Sequence, residues 1–261
     1  MRRGDSVTGG GETDEPIISI RGLHKSFGGH HVLKGVDVDV EAGSTVVILG
    51  VSGSGKSVLM KHMIGLLKPD EGEVRIEGRD LARLDAQGLR EVRRSFGMVF
   101  QTAALFDSLT VYGNVSFPLR EHFRKMPEPE IERRVLEKLE MLGLAGHEDK
   151  SPAELSGGMR KRVGLARAVV MEPKIVLYDE PTTGLDPITT DDVDEMILEA
   201  REALSVTSVV ISHDIRSAFK VATKLAVLYD GRIVAEGTPD ELKENPHPHV
   251  RQFVGSWFEK R

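Results

Sequence analysis

Cysteine is absent from all 261 residues, which excludes a disulfide framework, thiolate-bound zinc, an iron–sulfur cluster and a thiol nucleophile. Excess positive charge is absent too, because 35 Lys and Arg face 41 Asp and Glu for a net charge of -6. Without a broad basic field to draw the chain onto phosphate backbones, nucleic acid is not expected as a partner. Long apolar runs are also lacking. The longest stretch free of Lys, Arg, Asp and Glu runs from Ala42 to Gly55, too short and too rich in glycine for the roughly 20 apolar residues that cross a bilayer. Nor does Met1-Arg2-Arg3-Gly4-Asp5 lead into the apolar core of a signal peptide. The expectation is a soluble chain that meets a membrane only through a partner. What is present is 39% hydrophobic residues and 27 glycines, an ordinary globular share, in a chain long enough for one large or two small domains.

Residues 1–15 hold Gly, Ser, Thr and acids with little to bury, and are expected to form a disordered leader. Ile17 to Arg21 and Val32 to Val40, with Val36, Val38 and Val40 alternating, predict strands of a half-exposed antiparallel layer. Thr45 to Leu49 is instead a continuous apolar run, the mark of a parallel strand covered on both faces. Similar runs recur at Ile175 to Tyr178, Ser208 to Ile211 and Leu225 to Leu228, with helical patterns at Thr189 to Leu204 and Asp214 to Val221 between them. That alternation predicts an α/β fold with a mostly parallel sheet. From about 102 to 170 the periodicity is helical, over Glu128 to Leu142 and Ser156 to Val170, which predicts an all-helical lobe inserted into a domain spanning 16–240. A helical tail is expected over 241–261. There Val250, Phe253, Val254, Trp257 and Phe258 share one face, suited to packing on the chain itself or on a partner.

The chemistry is concentrated after the strand at Thr45 to Leu49. Gly50-Val51-Ser52-Gly53-Ser54-Gly55-Lys56-Ser57 is followed by an apolar helical stretch from Val58, which is a phosphate-binding loop in its strand–loop–helix setting. Its glycines allow backbone N–H groups to turn onto phosphates, and the helix start adds partial positive charge. Lys56 then reaches the outer phosphates of ATP and the Ser57 hydroxyl serves Mg²⁺. At the end of the run Ile175 to Tyr178, Asp179 suits the same Mg²⁺, while Glu180 is placed to orient and deprotonate an attacking water. Leu155-Ser156-Gly157-Gly158 makes a second anion site, with Ser156 as N-cap and two glycines exposing N–H groups at a helix start. A single nucleotide has no need of two such sites.

Phosphate loop, LSGG and the Asp179-Glu180 pair, in this order, resemble the ATP-binding cassette family, the ATPase subunits of ABC transporters, over about Ile17 to Gly237. The resemblance implies a P-loop NTPase core and a head-to-tail dimer in which Ser156, Gly157 and Gly158 of one copy cap the ATP held by the other. It further implies that Phe27 stacks on adenine and that Gln101 touches Mg²⁺ and the attacking water. Asp186 would lie in the loop crossing the dimer interface, and His213 would meet the γ-phosphate. Two positions depart from the common pattern: Met159 stands where Gln is frequent and Val58 where Thr is frequent. Neither removes a catalytic group.

Phe100 to Val111, the run LSGGMRKRVGLARA and the segment Pro248 to Val254 are similar to the Mla branch, the ATPases of MCE-associated lipid transporters. This likeness implies a permease, an MCE-domain lipid-binding protein and a small accessory subunit as partners, phospholipid as cargo, and a place at the cytoplasmic face of the inner membrane. Amino acids, metals or drugs stay open as alternative cargoes, and a non-transport cassette ATPase stays open as an alternative role. The permease is expected in the groove around Gln101 to Val111, with Ala103 to Phe106 offering apolar contact, although Leu105 and Phe106 suit a lobe core equally well.

Overall fold

The computed structural model describes residues 15–255. The leader up to Asp14, and Trp257 and Phe258 of the tail face, lie outside them. Alternation builds the first layer. Strands β1 (Ile18–Phe27) and β2 (His30–Val40) pair antiparallel, with Val36, Val38 and Val40 buried and Asp37 exposed. Both runs are longer than their sequence patterns suggested. A strand not anticipated, β4 (Glu71–Ile76), covers the other edge of β1, and the short β5 (Arg79–Asp80) completes the order β2-β1-β4-β5. Glu71, Glu73 and Arg75 mask its pattern, for only Val74 and Ile76 are buried.

The second sheet has the order β10-β9-β3-β8-β7-β6. Strands β3 (Thr45–Leu49), β6 (Phe96–Phe100), β7 (Ile175–Asp179), β8 (Thr207–Ser212) and β9 (Lys224–Tyr229) run parallel, and β10 (Arg232–Gly237) adds antiparallel to the edge. The continuous apolar runs follow from burial on both faces. Val46 and Ile48 join the core beneath the antiparallel sheet, whereas Val47 and Leu49 join the core shared with the helices. Each such buried aliphatic side chain stabilises the fold by about 1.5–3 kcal/mol.

Helix α1 (Lys56–Met63) leaves the loop after β3, and α2 (Ala86–Arg94) leads into β6. Between β6 and β7 the regular structure is helical: α3 (Val111–His122), α4 (Glu128–Met141) and α5 (Gly157–Val169), with a short 3-10 turn at Pro152–Glu154. Ser156 caps α5, its hydroxyl accepting from the Met159 N–H at 3.2 Å. This region is not detached from the sheet. A Cβ on Gly97 would come within 2.5 Å of the Ala168 carbonyl oxygen, so glycine alone lets α5 lie directly on β6. Helices α6 (Pro187–Leu204), α7 (Ile215–Val221) and α8 (Pro239–Lys243) follow, with Asp186 and Asp214 as the N-caps of α6 and α7. In the last described turns Val250 and Val254 are buried in the helix-side core and Phe253 packs against it, so this part of the tail face meets its own chain.

One buried acid stands out. Asp194 on α6 is fully buried and accepts from the Ser217 hydroxyl on α7, while its Oδ2 has no hydrogen-bond partner. Burial pushes its carboxyl up to about 6, against the lowering effects of the Ser217 donation and of Lys220. A raised carboxyl pKa favours the protonated fold: the contribution is full below the unfolded value of 3.8 and is lost as pH rises through about 6. Asp194→Asn is therefore expected to gain on the unsubstituted chain by about 2–3 kcal/mol between pH 4 and pH 8. Urea unfolding at the two pH values measures this, and a pH-independent difference would show that Asp194 ionises freely in the fold.

Candidate active site

Because β3, β6, β7 and β8 are parallel and adjacent, their C-terminal ends share one edge of the sheet, where α/β folds place ligands. The register is level there: Phe100 pairs with Asp179, Asp179 with Ile211, and Leu49 with Ser212. The residues that follow these ends are Gln101 after β6, Glu180 after β7, His213 after β8 and the glycine loop after β3. Together they line a cleft of about 580 Å³.

The loop's shape depends on two glycines. Gly55 has φ 107°, and a Cβ there would stand 2.9 Å from Leu33 Cδ2; on Gly50 it would stand 2.5 Å from the Leu228 carbonyl oxygen. Ser52, Gly53, Gly55, Lys56, Ser57 and Val58 line the cleft, and the first N–H groups of α1 lack acceptors within the helix. Ser54 is buried within this loop and does not line the cleft. Its N–H donates to Val51 O at 3.2 Å, and its hydroxyl is buried under Gly50 without a partner. Gly50 likewise serves the close approach of the backbone and does not line this cleft.

Lys56 is only 6% exposed. Its ammonium donates to Gly50 O at 2.7 Å and Val51 O at 3.1 Å, and it faces Glu180 Oε1 at 3.3 Å. The other carboxylate oxygen, Oε2, accepts from Thr183 Oγ1 at 3.0 Å and hydrogen-bonds His213 Nδ1 at 2.7 Å. Glu180 holds this position with φ 50°, a left-handed backbone that costs a side-chain-bearing residue about 1–2 kcal/mol. That strain turns the carboxylate back across the strand ends to join Lys56 and His213. Next to it, Asp179 is pushed above the ordinary carboxylate range, first by burial and then by the charge of Glu180, with Lys56 opposing. A divalent cation would relieve both effects. Ser57 and Gln101 line the cleft and Asp179 does not; together their oxygens would suit a hard ion that takes its remaining ligands from phosphate and water.

Several sequence-derived residues stand apart from this cleft. Phe27, at the end of β1, is exposed and does not line it; Val32 on β2, which the motifs did not mark, does. Thr183 and Phe253 are further lining residues that were missed. Thr183 follows Glu180 closely enough to have been considered, whereas nothing in the tail's helical pattern pointed Phe253 toward a loop some two hundred positions upstream. Ser156, Gly157, Gly158 and Asp186 are absent from the cleft of their own chain. Asp186 is occupied as a cap, accepting from the N–H groups of Ile188 and Thr189 at 3.0 and 3.1 Å.

A phosphate loop at the C-terminal edge of a parallel sheet, with a lysine, an acid and a histidine converging on it, defines a P-loop nucleotide hydrolase. The family model described as ABC transporter matches residues 33–183. With the relatives that follow, this shows that the chain belongs to the ABC transporter ATP-binding family, whose members are ATPases that drive transport. It is 43% identical over 248 residues to the probable ribonucleotide transport ATP-binding protein mkl of Mycobacterium leprae, spanning 94% of this chain and 71% of that one. With the intermembrane phospholipid transport system ATP-binding protein MlaF of Haemophilus influenzae it shares 38% identity over 241 residues, covering 92% of this chain and 91% of that one. Among solved structures, the ATP-binding cassette MJ0796, dimeric in a post-hydrolysis state with ADP and Pi, superposes with a TM-score of 0.74 at 34% identity, covering 85% of this chain and 98% of that one.

Proposed function

We propose that this ATPase works as one of two copies closing head to tail on two ATP molecules, and that closure drives a permease carrying phospholipid between membranes. One observation carries the dimer. Ser156, Gly157 and Gly158, a capped helix start suited to an anion, do not line the cleft that holds Lys56 and Glu180 in the same chain. A second copy supplies them, in keeping with the dimeric state of MJ0796.

Within each site Lys56 and the N–H groups of the glycine loop hold the phosphates. Glu180 takes a proton from the attacking water, and His213 holds the carboxylate through Oε2 while facing the same cleft. Ser57, Gln101 and Asp179 would hold Mg²⁺, which supplies charge neutralisation at the phosphates. Phe27, which does not line the cleft of its own chain, is assigned to the adenine on the family resemblance alone. Hydrolysis removes the phosphate contacts shared by the two copies, and the dimer reopens.

Mixing two inactive variants tests the shared site. Lys56→Ala and Ser156→Arg should each be inactive alone, yet mixed dimers contain one intact site, and random pairing restores up to about a quarter of normal turnover. No recovery would mean that each chain completes its own site.

Cargo rests on the likeness to MlaF, which extends over about nine-tenths of both chains. Among the described residues no helix is long and apolar enough to cross a membrane; the permease is assigned to a separate chain, which holds this ATPase at the cytoplasmic face of the inner membrane. Its docking site is assigned to a groove of about 340 Å³ between β6 and the helices, where Phe106 is 43% exposed and lies 4.8 Å from the Phe117 ring. Ala103 is buried and Leu105 packs on the core, so Ala104 and Phe106 are the residues of this run that line the groove. An MCE-domain protein and a small accessory subunit complete the proposed assembly. Purified with its permease, the complex should carry phospholipid detectable by mass spectrometry. A ribonucleotide carried in its place would assign the cargo named for the mycobacterial relative.

A further inference from the structure

The helix that begins at Ser156 carries two cations which the nucleotide chemistry leaves unused. Lys161 is only 6% exposed, and burial lowers its pKa. No carboxylate pairs with it among the described residues; its ammonium donates to two backbone carbonyls, Gln101 O and, at 2.9 Å, Pro181 O. Two turns further along, Arg167 donates to Ala103 O at 2.8 Å and Ala104 O at 2.7 Å. Between them Gly164 lets the chain approach so closely that a Cβ there would lie 3.2 Å from Ala103 Cβ. These positions, i, i+3 and i+6, share one side of α5. They clamp the turn after β6, in which Ala103 and Ala104 both hold left-handed backbone at φ 61° and 45°. Alanine keeps that conformation only where its surroundings impose it.

Burying an ammonium against carbonyls alone is costly, since nothing neutralises the charge. In return, Lys161 joins three parts that are distant in sequence. These are the turn carrying Gln101, the loop following Glu180, and the helix whose start at Ser156 is assigned to the partner's nucleotide. We propose that Lys161 is a positioning residue for hydrolysis, a bolt that makes these three parts move as one body. Closure at the Ser156 end then sets the backbone of Gln101 and Glu180 together. The inference rests on the roles given above to Gln101 and Glu180.

Lys161→Met keeps the length of the side chain and removes its donors. In the full-length chain kcat should fall at least about tenfold while KM for ATP stays within about twofold, because placement is lost and nucleotide contacts are kept. Amide exchange at 101–104 and at 182–183 should quicken. Lys161→Arg, which retains donors, should recover part of kcat and of the exchange protection. Unchanged kcat, a matching rise in KM, or unaltered exchange in Lys161→Met would overturn the proposal. Should Lys161→Met fail to fold, Lys161→Gln, too short to reach both carbonyls at once, carries the same measurements. Normal turnover in Glu180→Gln would defeat the catalytic assignment instead, and the exchange data would still decide whether Lys161 bolts the two loops.

Discussion

Glu180→Gln is expected to lower ATP turnover by at least about a hundredfold, the scale on which a positioned general base contributes. The amide has nearly the shape of the carboxylate and can still meet Lys56 and Thr183, whose nitrogen and oxygen now lie 3.3 and 3.0 Å from the Glu180 oxygens. Binding should therefore survive while proton removal is lost. Because the shared phosphates are then not cleaved, an ATP-dependent dimer should accumulate on a sizing column. Ordinary turnover in this variant would remove Glu180 from the role of base, and turnover lost without a dimer would argue against the shared site.

Lys56→Ala is expected to abolish turnover by a different route. Nearly all of the Lys56 side chain is buried, and it supplies Gly50 O, Val51 O and Glu180 from a single ammonium. Removing it leaves two carbonyls and a carboxylate short of a donor, which costs about 1–3 kcal/mol even in the absence of ATP. It also deletes the cation that meets the outer phosphates. Saturating ATP at about a hundred times its dissociation constant adds about 2.7 kcal/mol to a protein that binds it. That increment, read as a thermal shift, should be present in Glu180→Gln and missing in Lys56→Ala. A full ATP shift in Lys56→Ala would show that the loop glycines and α1 hold the nucleotide without the lysine.

The legible parts of this protein were the local ones. Gly50 to Ser57 is contiguous, and the strand before it and the helix after it are set by short-range pattern. Ser156 was recognisable as a helix start because a cap is decided within three residues, and the helix from Asp214 by its pattern, whereas Asp186 was read only as a loop residue and caps a helix expected from Thr189. The buried parallel strands β3, β7, β8 and β9 were visible as unbroken apolar runs. β6 was missed because it has five residues with Gly97 at its second position, a glycine there for the packing of α5 rather than for strand formation. Without β6, Gln101 could be assigned only by resemblance, whereas its place at the strand ends is now a consequence of sheet order.

The amino-acid order by itself determined a phosphate loop, an acidic strand end, a second anion-binding helix start and the family to which they belong, since each is a matter of neighbours in the chain. Only the tertiary structure decided that Lys56, Glu180 and His213 meet across the ends of β3, β7 and β8, and that Ser54 turns inward. The same is true of the entry of Phe253 into the cleft wall and the hold of Lys161 on two loops at once. Such contacts join residues far apart in sequence. They exist only once two cores have packed on either face of one sheet and fixed the distances between its edges.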